Sequence, residues 1–311
     1  MKKEKMIGMT LLFITSLIWG CAFVAQKVGM DKIGPITFCG VRFLSSAIFM
    51  TLVVLVRDIF IKKEITIKNI DKPTLKITIV AGVLCGLALM IATNLQQYGM
   101  VHTSAGKSGF ITALYIVMVP MIGISLGKKA KVIEWISVVI AVISLALLCL
   151  KKEELSGNLV VNSSDLLILL SAFFFSIQIL LLDHFSKNLD CIFLTTVEFY
   201  VCAVVSLIAM FIFEEPNFEN IISVIIPILY AGVASGGIAY TLQAMGQRHT
   251  PPVIASIIMS FEAVISLIAG AILIHERLTS LELLGCALMF VAILIPQLKI
   301  RKKSQNKTLT E

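Results

Sequence analysis

The stretch "PPVIASIIMSFEAVISLIAGAILI", residues 251–274, contains one ionisable side chain, Glu262, in an otherwise apolar run. A helix needs roughly 20 apolar residues to cross the hydrocarbon of a bilayer, and this run is long enough. A charge near the middle of such a helix costs roughly 2.5–3.5 kcal/mol on insertion scales. Glu262 therefore needs a reason to be there.

Working outward, the same pattern fills the chain. Of 311 residues, 58% are hydrophobic and 14% charged, whereas a soluble domain carries about 25% charged residues. This balance excludes an ordinary water-soluble domain. Apolar runs at residues 7–26, 35–56, 75–97, 103–126, 132–150, 165–182, 191–213, 221–244, 251–274 and 281–297 predict ten membrane-spanning helices, an all-α integral membrane protein. Gly34-Pro35 and Lys72-Pro73 punctuate their boundaries. The basic head before the first run also fits a signal peptide. No small-x-small cleavage site follows it, however, and the run has a counterpart from Leu166 onward, so it reads as the first span.

Cations set the orientation, because cytoplasmic loops collect Lys and Arg. With the N-terminus inside, nineteen loop and tail cations face the cytoplasm, among them Lys2, Lys3 and Lys5, Arg57 to Lys76, Lys131, Lys187, Arg248 and the tail from Lys299. Only Lys27, Lys32, Lys151, Lys152 and Arg277 fall on the other side. A multi-pass plasma-membrane protein with both termini cytoplasmic follows. The bias also accounts for the net charge of +7, which gives no reason to expect a nucleic-acid partner.

The seven cysteines lie almost wholly within apolar spans, none at C-x-x-C spacing, and read as reduced packing residues. His102, His184, His249 and His275 are scattered at span ends. No metal site, phosphate-binding loop or nucleophile elbow is expected, and no cofactor.

Internal repetition organises the chain. "LQQYGMVHT" (95–103) and "LQAMGQRHT" (242–250) match at Leu, Gln, Gly, His and Thr with an offset of 147 residues, and Gly123/Gly270 and Leu126/Leu273 keep that register. An offset of 155 aligns Leu11-Leu12 with Leu166-Leu167, Ser16 with Ser171 and Phe38 with Phe193. Two halves, 1–155 and 156–311, thus hold five spans each. Five is odd, so the second half is inverted relative to the first, an arrangement that lets two halves open a central site to either side in turn.

Several stretches also resemble a known family. "LLFITSLIWGCAFVAQKVGM" with "ITFCGVRFLSSAIF" resembles the opening of EamA transporters within the drug/metabolite transporter superfamily. "SFEAVISLIAGAILIHERLTSLELLGCALMFVAIL" is similar to their closing pair of helices, and "TSAGKSGFITALYIVMVP" to their fourth helix. The resemblance implies a ten-helix carrier and says nothing of its substrate. Ala263 stands where members usually have proline after the helix 9 glutamate. The first helix has no glutamate like the one that exchanges protons in the small multidrug exporters.

Helical spacing puts Ala255, Met259, Ser266 and Ala269 on the side of Glu262, a small-residue stripe that turns the carboxyl toward the bundle. It is either a structural hydrogen-bonding group or part of a transport cavity. Its repeat equivalent is Tyr115. Lys107 either snorkels to the nearer interface or opens a polar vestibule that attracts a substrate carboxylate. Arg42, matching an arginine of the family's second helix, reads as structural, paired with helix-end carbonyls or with a carboxylate such as Glu198. Trp19, Asn94, Gln178, Tyr240 and Gln243 complete the set of cavity candidates, and "AGVASGGIAY" in the eighth span permits close approach of a neighbour.

The expectation is a carrier, not an enzyme, moving a small metabolite such as an amino acid by alternating access, with export as its direction. Its partners are that small molecule and the lipid bilayer, and it is a monomer or a homodimer. A membrane-embedded enzyme and a channel or sensor are the rival classes. The missing catalytic cluster counts against the first, and the odd-numbered inverted halves against the second.

Overall fold

A computed structural model describes residues 2–62, 66–127, 131–149, 163–273, 280, 281, 283–285 and 287–295. The 155/156 boundary and the basic tail lie outside these residues. Among the described residues the chain is helical throughout, with no strand. Fourteen α-helices follow in order: α1 (Lys2–Gly29), α2 (Pro35–Val56), α3 (Thr66–Asn69), α4 (Lys72–Gly99), α5 (Ala105–Ala113), α6 (Tyr115–Ser125), α7 (Val132–Cys149), α8 (Ser163–Phe185), α9 (Cys191–Phe213), α10 (Phe218–Ser223), α11 (Ile225–Leu229), α12 (Tyr240–Gln247), α13 (Pro252–Met259) and α14 (Glu262–Leu273). Residues Arg57–Lys62 and Tyr230–Ala239 wind as π-helix. A further apolar helix, α15, runs over Leu283–Ile295.

Among the described residues, eight helical stretches are long and apolar enough to cross a membrane: Lys3–Gly29, Pro35–Ile61, Lys72–Gly99, Ala105–Ser125, Ser163–Phe185, Cys191–Phe213, Ile225–Gln247 and Pro252–Leu273. Two shorter apolar helices, Val132–Ser144 and Leu283–Ile295, stand in the places of the fifth and tenth apolar runs. The protein is a multi-pass membrane protein. Successive crossings alternate, so Lys2, Val56, Lys72, Ser125, Phe185 and Gln247 share the N-terminal end of the bundle, and Gly29, Pro35, Gly99, Ala105 and Ser163 share the opposite end.

Helix ends are closed by side chains, some from far along the chain. Asp71 caps α4 through the Thr74 amide at 3.1 Å, and the Thr74 side chain and amide hold this exposed carboxyl below the ordinary aspartate range. Gly34 offers α2 no side-chain cap. Glu214, just past α9, substitutes for one, accepting from the amides of Ile36 (3.1 Å) and Thr37 (2.8 Å) and from the Thr37 hydroxyl (2.6 Å). At the N-terminal end Asp190 caps α9 through the amides of Ile192 and Phe193. Both its oxygens also accept from one nitrogen, Nη1 of Arg57, at 2.8 Å, while Asp58 accepts from Arg57 and from the Thr66 amide and hydroxyl. This cluster ties the end of α2 to the start of α9.

The most extensive helix contacts are α2 on α9 and α4 on α8 and α9, with α1 lying on α14 and α12. The α13–α14 run sits at the centre, every residue from Ile254 to Val264 buried. Small residues permit this approach: a methyl on Gly20 would run into Ile265 and the Glu262 carbonyl.

Two of the crossings are broken in the middle. At Leu114 and at Ser260–Phe261 the backbone tightens into i→i−3 hydrogen bonds, Val117 to Leu114 (3.0 Å) in one and Val264 to Phe261 (3.0 Å) in the other. The Ser260 hydroxyl bonds back to the Ile257 carbonyl at 2.8 Å, which favours such a bend. Proline after Glu262 is not required, since the break stands with Ala263 there. The eighth apolar run is broken as well, into α10, α11, the π-helix and α12. Carbonyls in the π-helix find partners on α1 and α2: Thr15 donates to Ala239, Trp19 to Ser235 and Ser46 to Gly232. A Cβ on Gly236 would collide with the Ser46 hydroxyl, so glycine is needed there for α2 to come this close.

Candidate functional site

Glu262 stands at the break before α14. It is the first residue of the half-helix α14, whose opening amides bond to the carbonyls of Ser260 and Phe261. Tyr115 occupies the first residue of α6. The Tyr115 hydroxyl donates to Glu262 Oε1 at 3.0 Å, across 147 residues of sequence. The two side chains meet on one wall of a cavity between α1, α2, α4, α5, α8, the π-helix and α12.

That cavity has about 30 Å³ of free space, enough for one or two waters and too little for a metabolite. Trp19, Phe23, Phe175 and Tyr240 form its apolar walls, and Gln26, Arg42, Gln96, Thr112, Gln178, Ser235, Gln243 and Glu262 its polar ones. The Trp19 and Tyr240 rings lie 4.6 Å apart, tilted by 53°. Gln96 donates to the Thr112 hydroxyl at 2.9 Å. Gln243 donates to Gln178 Oε1 at 3.2 Å, and Gln178 donates to Glu198 at 2.9 Å.

Of the sequence-predicted cavity residues, Trp19, Tyr115, Gln178, Tyr240, Gln243 and Glu262 are brought together here. Asn94 is not: its amide donates to Ser206 at 3.1 Å and to the Met90 carbonyl, between α4 and α9. Lys107 is also elsewhere, ion-paired with Asp165 of α8 at 3.1 Å at the far end of the bundle. The ammonium thus reaches toward that nearer end of the bundle, away from the central cavity.

Arg42 joins the cavity wall although the sequence suggested a structural role. It does not meet Glu198. Its Nη1 donates to Gln26 at 2.8 Å, its guanidinium lies 4.9 Å from the Phe43 ring centroid, and its Nε has no hydrogen-bond partner. Glu198 stands behind the wall, fully buried, held by Gln178. Gln26, Gln96 and Thr112 are cavity residues that sequence reasoning missed. The cue for the first two was their position, polar groups inside apolar runs.

Chemically the cavity offers stacking faces, amides able to donate or accept, one buried guanidinium and one buried carboxyl. No group of three His, Cys, Asp or Glu side chains gathers as a metal site among the described residues.

The EamA-like transporter family matches the chain twice, over residues 6–150 and 162–296. An uncharacterized transporter of Archaeoglobus fulgidus is 27% identical over 291 residues, covering 93% of this chain and 85% of that protein. The uncharacterized transporter YoaV of Bacillus subtilis is 27% identical over 280 residues, covering 89% and 92%. A protein of known crystal structure superimposes with a TM-score of 0.73 over 94% of this chain and 98% of its own, at 12% identity, a likeness of fold alone. With two family matches spanning nearly the whole chain, relatives named as transporters and an apolar helical bundle, the chain belongs to the EamA-like transporter family and with it to the drug/metabolite transporter superfamily.

Proposed function

We propose that this protein is a secondary carrier that moves a small metabolite, an amino acid or a related compound, by alternating access. It is built as two inverted five-helix repeats, 1–155 and 156–311, in the bacterial plasma membrane with both termini cytoplasmic. Loading occurs from the N-terminal end, which the cation bias assigns to the cytoplasm, so its direction is export.

One observation carries the substrate class. Arg42 is 3% exposed and faces the cavity with only neutral hydrogen-bond partners, and Glu262, also 3% exposed, is held by a neutral tyrosine. A buried guanidinium without a carboxylate attracts one from a ligand. A carboxyl group nearby accepts an ammonium. Together they suit a zwitterion, and the Trp19–Tyr240 pair and the glutamine amides suit a side chain of mixed polarity.

The two-repeat reading is supported by the double family match and by the meeting of Tyr115 with Glu262, since 147 is the offset that aligns the two "LQ…HT" motifs. Transport is tested with purified protein in liposomes and an equimolar mixture of isotopically labelled amino acids, followed by mass spectrometry of the lumen. Accumulation of one or more compounds unchanged is expected. Conversion to a product with no movement across the membrane would overturn the reading in favour of an enzyme.

A further inference from the structure

A second cavity, of about 450 Å³, opens at the N-terminal end of the bundle between α6, α7, α8 and the α12–α13 joint. It has the size of a metabolite site, which the central cavity in this conformation does not. It also lies in line with that cavity. One helical turn separates Tyr115 from Val119 on α6, Ile179 from Asp183 on α8 and Gln243 from Gln247 on α12, the first of each pair lining the central cavity and the second this one. Between them the Gln247 amide donates to the Ile179 carbonyl at 3.0 Å and fastens α12 to α8.

The charges of this vestibule are unequal. Three cations, Lys131, Lys187 and Arg248, face two carboxylates: Asp183 pairs with Lys187 at 3.1 Å, and Glu134, still charged, accepts from the Lys131 amide at 2.8 Å, closing the start of α7. The lining cations Lys131 and Arg248 have no ion-pair partner among the described residues, and His249 stands beside them. Gln247 and Thr250, fully or nearly fully buried, add hydrogen-bonding groups to the same wall, and Gln247 Oε1 and Thr250 Oγ1 have no hydrogen-bond partner among the described residues.

We propose that this vestibule is a second binding site, a capture site for a small soluble organic anion held through its carboxylate by Lys131 and Arg248. A substrate carboxylate would dock here before the joint between Ile179 and Gln247 opens toward Arg42. Its role as a loading step rests on the transport reading above; its anion chemistry does not, so the two are tested apart.

Val253 lines the vestibule. The Val253→Cys variant, in nanodiscs of zwitterionic lipid, is reacted with a sulfonate-bearing and a trimethylammonium-bearing methanethiosulfonate, and modification at that residue is read by peptide mass spectrometry. After correction for intrinsic reactivity, the sulfonate should react about tenfold faster, since a cationic cleft concentrates anions. The preference should fall to near parity with Lys131→Gln/Arg248→Gln, fall partway with either single change, and persist with Lys76→Gln, an exposed position near the start of α4. Succinate should slow the sulfonate reaction in the parent and not in the double variant. Parity in the parent, a preference unaffected by the double or single changes, or no protection by succinate would overturn the proposal. Protection by added phosphatidylglycerol with none by succinate would also overturn it, assigning the cations to a lipid headgroup. Failure of the liposome assay with this result intact would instead remove the transport reading.

Discussion

Tyr115 and Glu262, 147 residues apart, share one hydrogen bond of 3.0 Å, and each is the first residue of a half-helix that follows a mid-membrane break. The pair joins α6 to α14 at the centre of the bundle. The carboxyl that looked costly in the sequence is thereby supplied with a donor.

The bond should show as coupling. Glu262→Gln keeps the size and the acceptor, so stability changes little. Glu262→Ala strands the buried Tyr115 hydroxyl and costs about 1–3 kcal/mol. Tyr115→Phe combined with Glu262→Ala should cost less than the sum of the single changes, by about 0.5–3 kcal/mol, in reversible unfolding from micelles. Strict additivity would mean the two side chains do not interact.

Asn94 and Gln243 should separate packing from ligand contact. Asn94→Ala removes the bond to Ser206 and lowers stability by about 1 kcal/mol, leaving the KM of transport unchanged. Gln243→Ala changes KM several-fold, because this amide lines the cavity. A KM effect at Asn94 as large as that at Gln243 would contradict the assignment.

These cases show what was legible beforehand. Length and hydropathy identify apolar crossings because lipid demands both, and eight of the ten runs are found as long apolar helices. Which face of a helix lines a cavity is a different matter. Asn94 and Gln96 lie 200° apart around α4 at 100° per residue, and either could have been the inward one; only the neighbours decide, and they put Gln96 in the cavity. Lys107 met Asp165, 58 residues away, a pairing no local pattern announces. The breaks at Leu114 and Ser260 were equally silent, for neither carries a proline at the joint. "AGVASGGIAY" announced close approach, and its glycines do admit α2, but nothing local announced its π-helical winding, whose carbonyls accept from Thr15, Trp19 and Ser46 of two other helices.

Sidedness is open to a labelling measurement. Asn217, at the start of α10, and Asn69, at the end of α3, lie at opposite ends of the bundle. In intact cells a membrane-impermeant maleimide should modify Asn217→Cys and spare Asn69→Cys until the membrane is opened. The reverse pattern would invert the orientation.

Alternating access is tested most directly at the Lys107–Asp165 pair, whose 3.1 Å contact holds α5 to α8 at the end opposite the N-terminus. Lys107→Cys/Asp165→Cys is reconstituted in liposomes and bridged by a short bis-methanethiosulfonate, and flux of the labelled amino acids is followed before bridging, after it, and after reduction. The account predicts arrest on bridging and recovery on reduction, because α5 and α8 must part there for the cavity to open to that side. Undiminished flux through fully bridged protein would contradict it.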